Sequence, residues 1–229
     1  MVDSRHRPLI FGLLSVAVAL AAVIAVATTT GLDEQLSGVF FDPTRGRWLV
    51  DHDASRLRLW LYDGPKALVI LLGVFLLCVA IRPSLLRSDW LSRRESIFLL
   101  ACLAAVPLSV NAVRKHSNVQ CPYTLQQYGG TQSRESGRVS LEGFVDVARP
   151  GGCWPSGHAS GGFALLCLAF LKRRRPVRTG FALLGATMGL LMGAYQVARG
   201  AHFVSHILVT GLIAMLVILA ISVIADTVD

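Results

Sequence analysis

The chain has 229 residues, 53% of them hydrophobic and only 16% charged, against roughly 25% charged in soluble globular chains. A soluble fold of this length needs no apolar runs long enough to cross a bilayer, so the composition points to a membrane. A formal charge of +8 would suit nucleic acid, but the bases sit between apolar runs and not along one stripe, so no nucleic-acid partner is expected.

Taken in chain order, apolar segments cover residues 8–28, 65–81, 97–113, 159–171, 179–197 and 203–225. Most approach the roughly 20 residues that a spanning helix needs. The fourth is short, and Gly157 and His158 extend it at its start. The expectation is an all-α, polytopic six-helix bundle forming a single domain over residues 1–229. The first segment partly resembles a signal peptide. Its apolar stretch is too long for a signal core, and Ala27-Thr28-Thr29 is a poor cleavage site, so it reads as a retained helix.

Lysine and arginine in the short loops set the orientation. Lys172, Arg173, Arg174, Arg175 and Arg178 cluster between the fourth and fifth segments. Arg82, Arg87, Arg93 and Arg94 lie between the second and third, and Arg5 and Arg7 precede the first. A six-helix scheme puts all of these on one side, which is expected to be cytoplasmic. The whole-chain tally is even, with half of the 22 basic residues on each side, so the dense short loop carries the assignment. The other face then bears long loops at 31–64 and 114–156. In the first of these, Val39-Phe40-Phe41, Trp48 and the run from Leu57 to Tyr62 suit either a segment at headgroup level or an ordinary lead-in to a helix.

Three stretches bearing chemical groups converge on that face: Arg114 to Pro122, Cys153 to Gly162, and Gln196 to His206. Pro155-Ser156-Gly157-His158 opens a helix, where the Ser156 hydroxyl and the first free backbone N–H groups make an anion site. Gly157 lets a phosphate oxygen approach the backbone, and Arg114, Lys115 and Arg199 are donors for the remaining oxygens. His158 and His202 come from different segments, as a general acid and a nucleophile must in an in-line displacement. Arginines and backbone dipoles can stabilise the transition-state charge, so neither metal nor cofactor is expected. A metal held by His202, His206 and His158 is the competing pattern, but no Glu follows His202 as it does in metalloprotease helices.

These stretches resemble the three-part signature of the type-2 phosphatidic acid phosphatase superfamily: K-x6-RP, then PSGH, then SR-x5-H-x3-D. The second part matches fully at Pro155 to His158; the third matches through Gly200, His202 and Ser205. The first matches in spacing only, with Arg114 at the lysine position and Pro122 at the proline. The resemblance implies that His202 attacks phosphorus and that His158 protonates the leaving oxygen. Three positions depart from the pattern. Cys121 replaces the first arginine, Gln196 stands where the third part has arginine, with Arg199 three residues on, and His206 replaces the aspartate that orients the nucleophile. On a helix Gln196 and Arg199 share a face, and His206 would lie one turn beyond His202, placed to accept a hydrogen bond from its ring. The pattern CP, C-x-PSGH and RGAHFxSH is similar to that of a branch of bacterial members.

Cys78, Cys102 and Cys167 lie inside apolar segments and read as packing residues, while Cys121 and Cys153 flank the site and are expected to pair in an oxidising periplasm. The expected function is removal of phosphate from a membrane lipid at the outer face of a bacterial inner membrane, through a phosphohistidine. Phosphatidic acid, phosphatidylglycerol phosphate, undecaprenyl diphosphate and lipid A phosphates all fit. A lipid phosphotransferase using the same site, and a non-catalytic transporter or lipid-binding protein, are the alternatives. Oligomeric state is not readable.

Overall fold

A computed structural model of the chain describes residues 7–51, 55–85, 91–139 and 152–227. The Arg5 and Arg87 charges and part of the second long loop lie outside these residues. The protein is an all-α bundle. Helix α1 covers Arg7–Thr29, and a short α2, Leu32–Gly38, leads to a hairpin of β1, Phe41–Asp42, and β2, Arg47–Trp48. Next come α3, Ser55–Arg58, a π turn at Leu59–Asp63, and α4, Gly64–Ile81, in one continuous helical run. The run from Leu57 to Tyr62 is therefore a lead-in to a helix. Helix α5 is Arg93–Lys115, α6 Gly157–Ala164, α7 Arg175–Ala198 and α8 Val204–Thr227.

Among the described residues, five helical stretches are long and apolar enough to cross a membrane: α1, the α3–α4 run, α5, α7 and α8. The fourth expected segment differs. It is α-helical for 8 residues and then tightens to a 3-10 helix over Leu165–Phe170. At ~1.5 and ~2.0 Å per residue the pair covers roughly 24 Å, short of the ~30 Å hydrocarbon core. Helix α6 compensates by position, packed among α5, α7 and α8 at the centre of the bundle. Its seam with α7 is made of small residues. A Cβ at Gly162 would fall 2.6 Å from the Gly189 backbone nitrogen, and one at Gly185 would fall 2.5 Å from that of Leu166. Without a hydrophobic driving force between helices in lipid, such close backbone approach supplies the packing.

Helix α5 begins with a capping box in which Ser92 and Glu95 satisfy each other's backbone N–H groups. Glu95 also meets Arg173 at 2.9 Å, tying the basic loop to the same end of the bundle. Alternating helix directions then place the C-termini of α5 and α7 and the N-termini of α6 and α8 together at the opposite end. Cys102 and Cys167 are buried between helices, whereas Cys78 is exposed on the outer surface of α4.

Candidate active site

The turn carrying His202 is built by the end of α7. Arg199 caps the helix and Gly200 follows with φ 70°, a left-handed conformation that glycine adopts without strain. The Gly200 N–H donates to the Val197 carbonyl at 2.9 Å and the Ala201 N–H to that of Gln196 at 2.8 Å, the paired bonds of a Schellman motif. His202 is thereby set in the tight link between α7 and α8, with only 2% of its surface exposed.

Around that ring the hydrogen bonds define a tautomer. His202 Nδ1 lies 2.8 Å from the Cys153 carbonyl oxygen. A carbonyl can only accept, so Nδ1 carries the proton and Nε2 presents its lone pair. Nε2 in turn lies 3.2 Å from His158 Nδ1, which donates to it. His206 stands further off, 3.5 Å between the two Nδ1 atoms. The expected His202-to-His206 contact is thus present, but longer than the one to Cys153. Desolvation on burial, with His206 and His158 beside it, holds the His202 ring well below the ordinary imidazole range.

The phosphate-binding candidates separate into two groups. Ser156, fully buried, occupies the N-cap position of α6, and its Oγ has no hydrogen-bond partner among the described residues. A Cβ on Gly157 would lie 3.4 Å from Asn111 Oδ1 and 3.5 Å from Arg114 Nη1, so the end of α5 hangs over the start of α6. Arg199 packs its guanidinium over the Tyr195 ring, 5.6 Å from the centroid, and Arg114 and Arg199 both act electrostatically on His158. Ser156, Gly157, Arg114 and Arg199 therefore gather around His158, at the N-terminus of α6. Lys115 does not join them: it is exposed at the end of α5 and is absent from the walls of the cavity there. Gln196, at the family's arginine position, is buried, and its carbonyl serves the His202 turn.

A cavity of about 540 Å³ opens beside His158, running from Arg114, Asn111 and Lys66 past Tyr62 to an apolar end lined by Ile70, Gly73 and Leu100. His202 does not line it; His158 stands between the cavity and that ring. Ile70 is 55% exposed, so the cavity opens sideways on the surface that meets lipid. Gly73 lies nine residues into α4, about 14 Å below the helix start. The π turn, a local irregularity common at functional sites, precedes α4 and carries Tyr62 to within 4.8 Å, ring to ring, of His158.

The first long loop covers the site from outside. Trp48 sits against Gly200, where a Cβ would fall 2.1 Å from the indole, and it clusters with Phe41, Leu125, Tyr128 and Phe203. Asp33 of α2 accepts from both the backbone N–H of Ser205, at 2.9 Å, and its hydroxyl, so a distant residue caps the start of α8. Burial pushes the Asp33 carboxyl up despite those two bonds. Cys121 and Cys153 are joined by a disulfide, with Cα atoms 5.3 Å apart. Lys66, Tyr62, Asn111, Asp33 and the Cys153 carbonyl were not singled out by the motifs. Of these, only Asn111 carried a local signal, one helical turn before Arg114.

An all-α, polytopic membrane protein with paired histidines, an arginine and a helix N-terminus at one end has the makings of a phosphoryl-transfer site. The chain belongs to the PAP2 superfamily, whose family model matches residues 95–228, and its activity is of the phosphatase type. No curated protein and no solved structure matches the chain significantly.

Proposed function

We propose that the protein is a lipid-phosphate phosphatase that hydrolyses a phosphomonoester or diphosphate held by a membrane lipid. The carrying observation is the sideways cavity, polar at His158 and Arg114 and apolar along α4 and α5. A lipid fits it with its phosphate at the polar end and its chain along Ile70 and Leu100. A soluble phosphate ester would leave the apolar end of such a groove unused.

His202 Nε2 attacks phosphorus, forming the N–P bond as the P–O bond to the lipid breaks. His158, protonated once the phosphate dianion is beside it, gives its proton to the departing oxygen. Arg114, Ser156, Arg199 and the N–H groups of α6 hold the three equatorial oxygens, on which charge accumulates. In the second half, His158 removes a proton from water as the water oxygen bonds to phosphorus, His202 departs, and inorganic phosphate is released. Neither a metal nor an organic cofactor enters this scheme.

The disulfide supports an outward-facing site, because such bonds persist in oxidising compartments. With the Lys172–Arg178 loop at the far end of the bundle, this favours a bacterial inner membrane with the site on the periplasmic side. The test is phosphate release from a panel of lipid phosphates in detergent without an acceptor lipid, using wild type and His202→Gln. Hydrolysis by wild type that the substitution abolishes is expected. Phosphate release that requires an acceptor would make the enzyme a transferase, and equal release by the variant would remove His202 from the chemistry.

A further inference from the structure

We infer that the backbone carbonyl of Cys153, held in place by the Cys121–Cys153 bridge, is the group that fixes the tautomer and orientation of His202. The inference rests on His202 as nucleophile. An imidazole attacks through the nitrogen that carries no proton, and free imidazole exchanges its proton between both nitrogens. A partner that accepts from Nδ1 alone settles the choice. Among the described residues the side chain near Nδ1 in the expected place is another imidazole, His206, at 3.5 Å, while the Cys153 carbonyl is at 2.8 Å. His206 itself draws on the same carbonyl, whose two lone pairs can serve both rings.

A backbone acceptor has no rotamer of its own; its aim is the aim of the segment. That segment is laced to the end of the first motif. The Gly152 N–H donates to the Ser117 carbonyl at 3.0 Å and the Cys153 N–H to that of Val119 at 3.1 Å. Ser117 and Val119 are buried, and the Ser117 hydroxyl accepts from the Val119 N–H, so the rail is itself fixed. The bridge closes the arrangement covalently across 32 residues of sequence. On its other side Cys153 Sγ lies 3.0 Å from the Ala201 carbonyl oxygen, one residue before His202; a bridged sulfur has no proton, so this is a packing contact. Cys153 is thus clamped between the first motif and the nucleophile's own turn. A neutral carbonyl stabilises an imidazolium less than a carboxylate does, but it sets the tautomer as well.

The test uses histidine-15N-labelled full-length protein in detergent, with the His202 ring signals assigned by their loss in His202→Gln. Three samples are compared: the bridged wild type, the same protein after a phosphine has reduced the bridge to two thiols, and Cys121→Ser/Cys153→Ser. Reduction of already folded protein covers the case in which the double variant does not fold. The bridged protein is expected to hold His202 as the Nδ1–H form. Loss of the bridge is expected to shift it toward the Nε2–H form, lowering kcat about 10- to 100-fold, the range for partners that orient a functional histidine, with KM nearly constant. A ring that stays Nδ1–H after reduction, or a change confined to KM, overturns the inference. The ring signals need no turnover, so an absence of phosphatase activity would count against the function and not be mistaken for failure of this one.

Discussion

His158 and His202 meet nitrogen to nitrogen, Nδ1 of the first 3.2 Å from Nε2 of the second. In the proposed reaction the phosphoryl group attacked by Nε2 enters where that contact now lies, so that reaction requires the rings to part. His158 borders the cavity and packs against Tyr62, so it is the ring with open space beside it. His202 is held from behind by Cys153.

An acid that protonates the leaving oxygen matters in proportion to how badly that oxygen needs a proton. His158→Asn is expected to lower kcat on a lipid alcohol ester by about 10²- to 10⁴-fold, the usual worth of general acid catalysis. On p-nitrophenyl phosphate, whose leaving group departs without a proton, the loss should be far smaller. Steady-state rates on both substrates check this. Equal losses on the two would assign His158 to binding.

The pH dependence follows from the burial of His202. Its ring is held well below the ordinary value of 6.5, so it remains neutral and nucleophilic through the whole neutral range. Any acid limb of kcat/KM belonging to this ring should fall below pH 6.5. Stability follows the same sign: below that value the unfolded chain binds a proton at this position that the folded one refuses. Stability from this ring is therefore complete above the unfolded value and lost as pH falls toward the folded one. Melting curves across the acid range should show a shallower fall for His202→Gln than for wild type.

Lys66 faces the polar end of the cavity, beside Tyr62, with its ammonium 5.8 Å from the ring centroid. It acts electrostatically on His158 but touches neither histidine. Lys66→Met is expected to raise KM for a lipid phosphate by about 3- to 10-fold with kcat nearly unchanged, the mark of binding shared by ground and transition states. A fall in kcat at constant KM would place Lys66 in the chemical step.

Gly200 is committed twice, by φ 70° and by the indole of Trp48 lying where a Cβ would go. Gly200→Ala should cost at least ~1–3 kcal/mol, lower the melting temperature and displace His202 with it. Trp48→Ala opens a void over the same turn, at a cost of roughly 3–5 kcal/mol. In the double variant the added methyl occupies space the indole has vacated, so the penalties should be less than additive, which thermal unfolding of the four proteins would reveal.

At the start of α8, Asp33→Ala removes the acceptor for the Ser205 N–H and should cost about 1 kcal/mol. Asp33→Asn keeps an acceptor and drops a charge that burial disfavours, so it should be close to neutral. Thermal melts near neutral pH distinguish the two.

The bundle was legible because each span is an apolar run, and the meeting of His158 with His202 was legible because alternating helices must bring those ends together. The centre of the bundle read less well: Gly157–Phe170 starts as an α-helix and tightens halfway, which apolar content alone does not reveal. Helical spacing puts His206 beside His202, and the two rings do lie together, 3.5 Å between their Nδ1 atoms, although α8 begins only at Val204 and His202 sits in the turn before it. The nearer acceptor at Nδ1 is a main-chain oxygen, and every residue has one. Asp33 and Trp48 reach the site from more than 150 residues away in sequence, Asp33 by 172, with no local pattern to announce them.

The sideways mouth of the cavity also bears on how the enzyme would meet its substrate. A lipid arriving between α4 and α5 comes by diffusion in two dimensions within one leaflet, and never through bulk water. Its effective concentration is then a mole fraction at the surface. Rates measured in mixed micelles should fall when inert detergent is added at constant total lipid, and a short-chain, water-soluble analogue should escape that dilution.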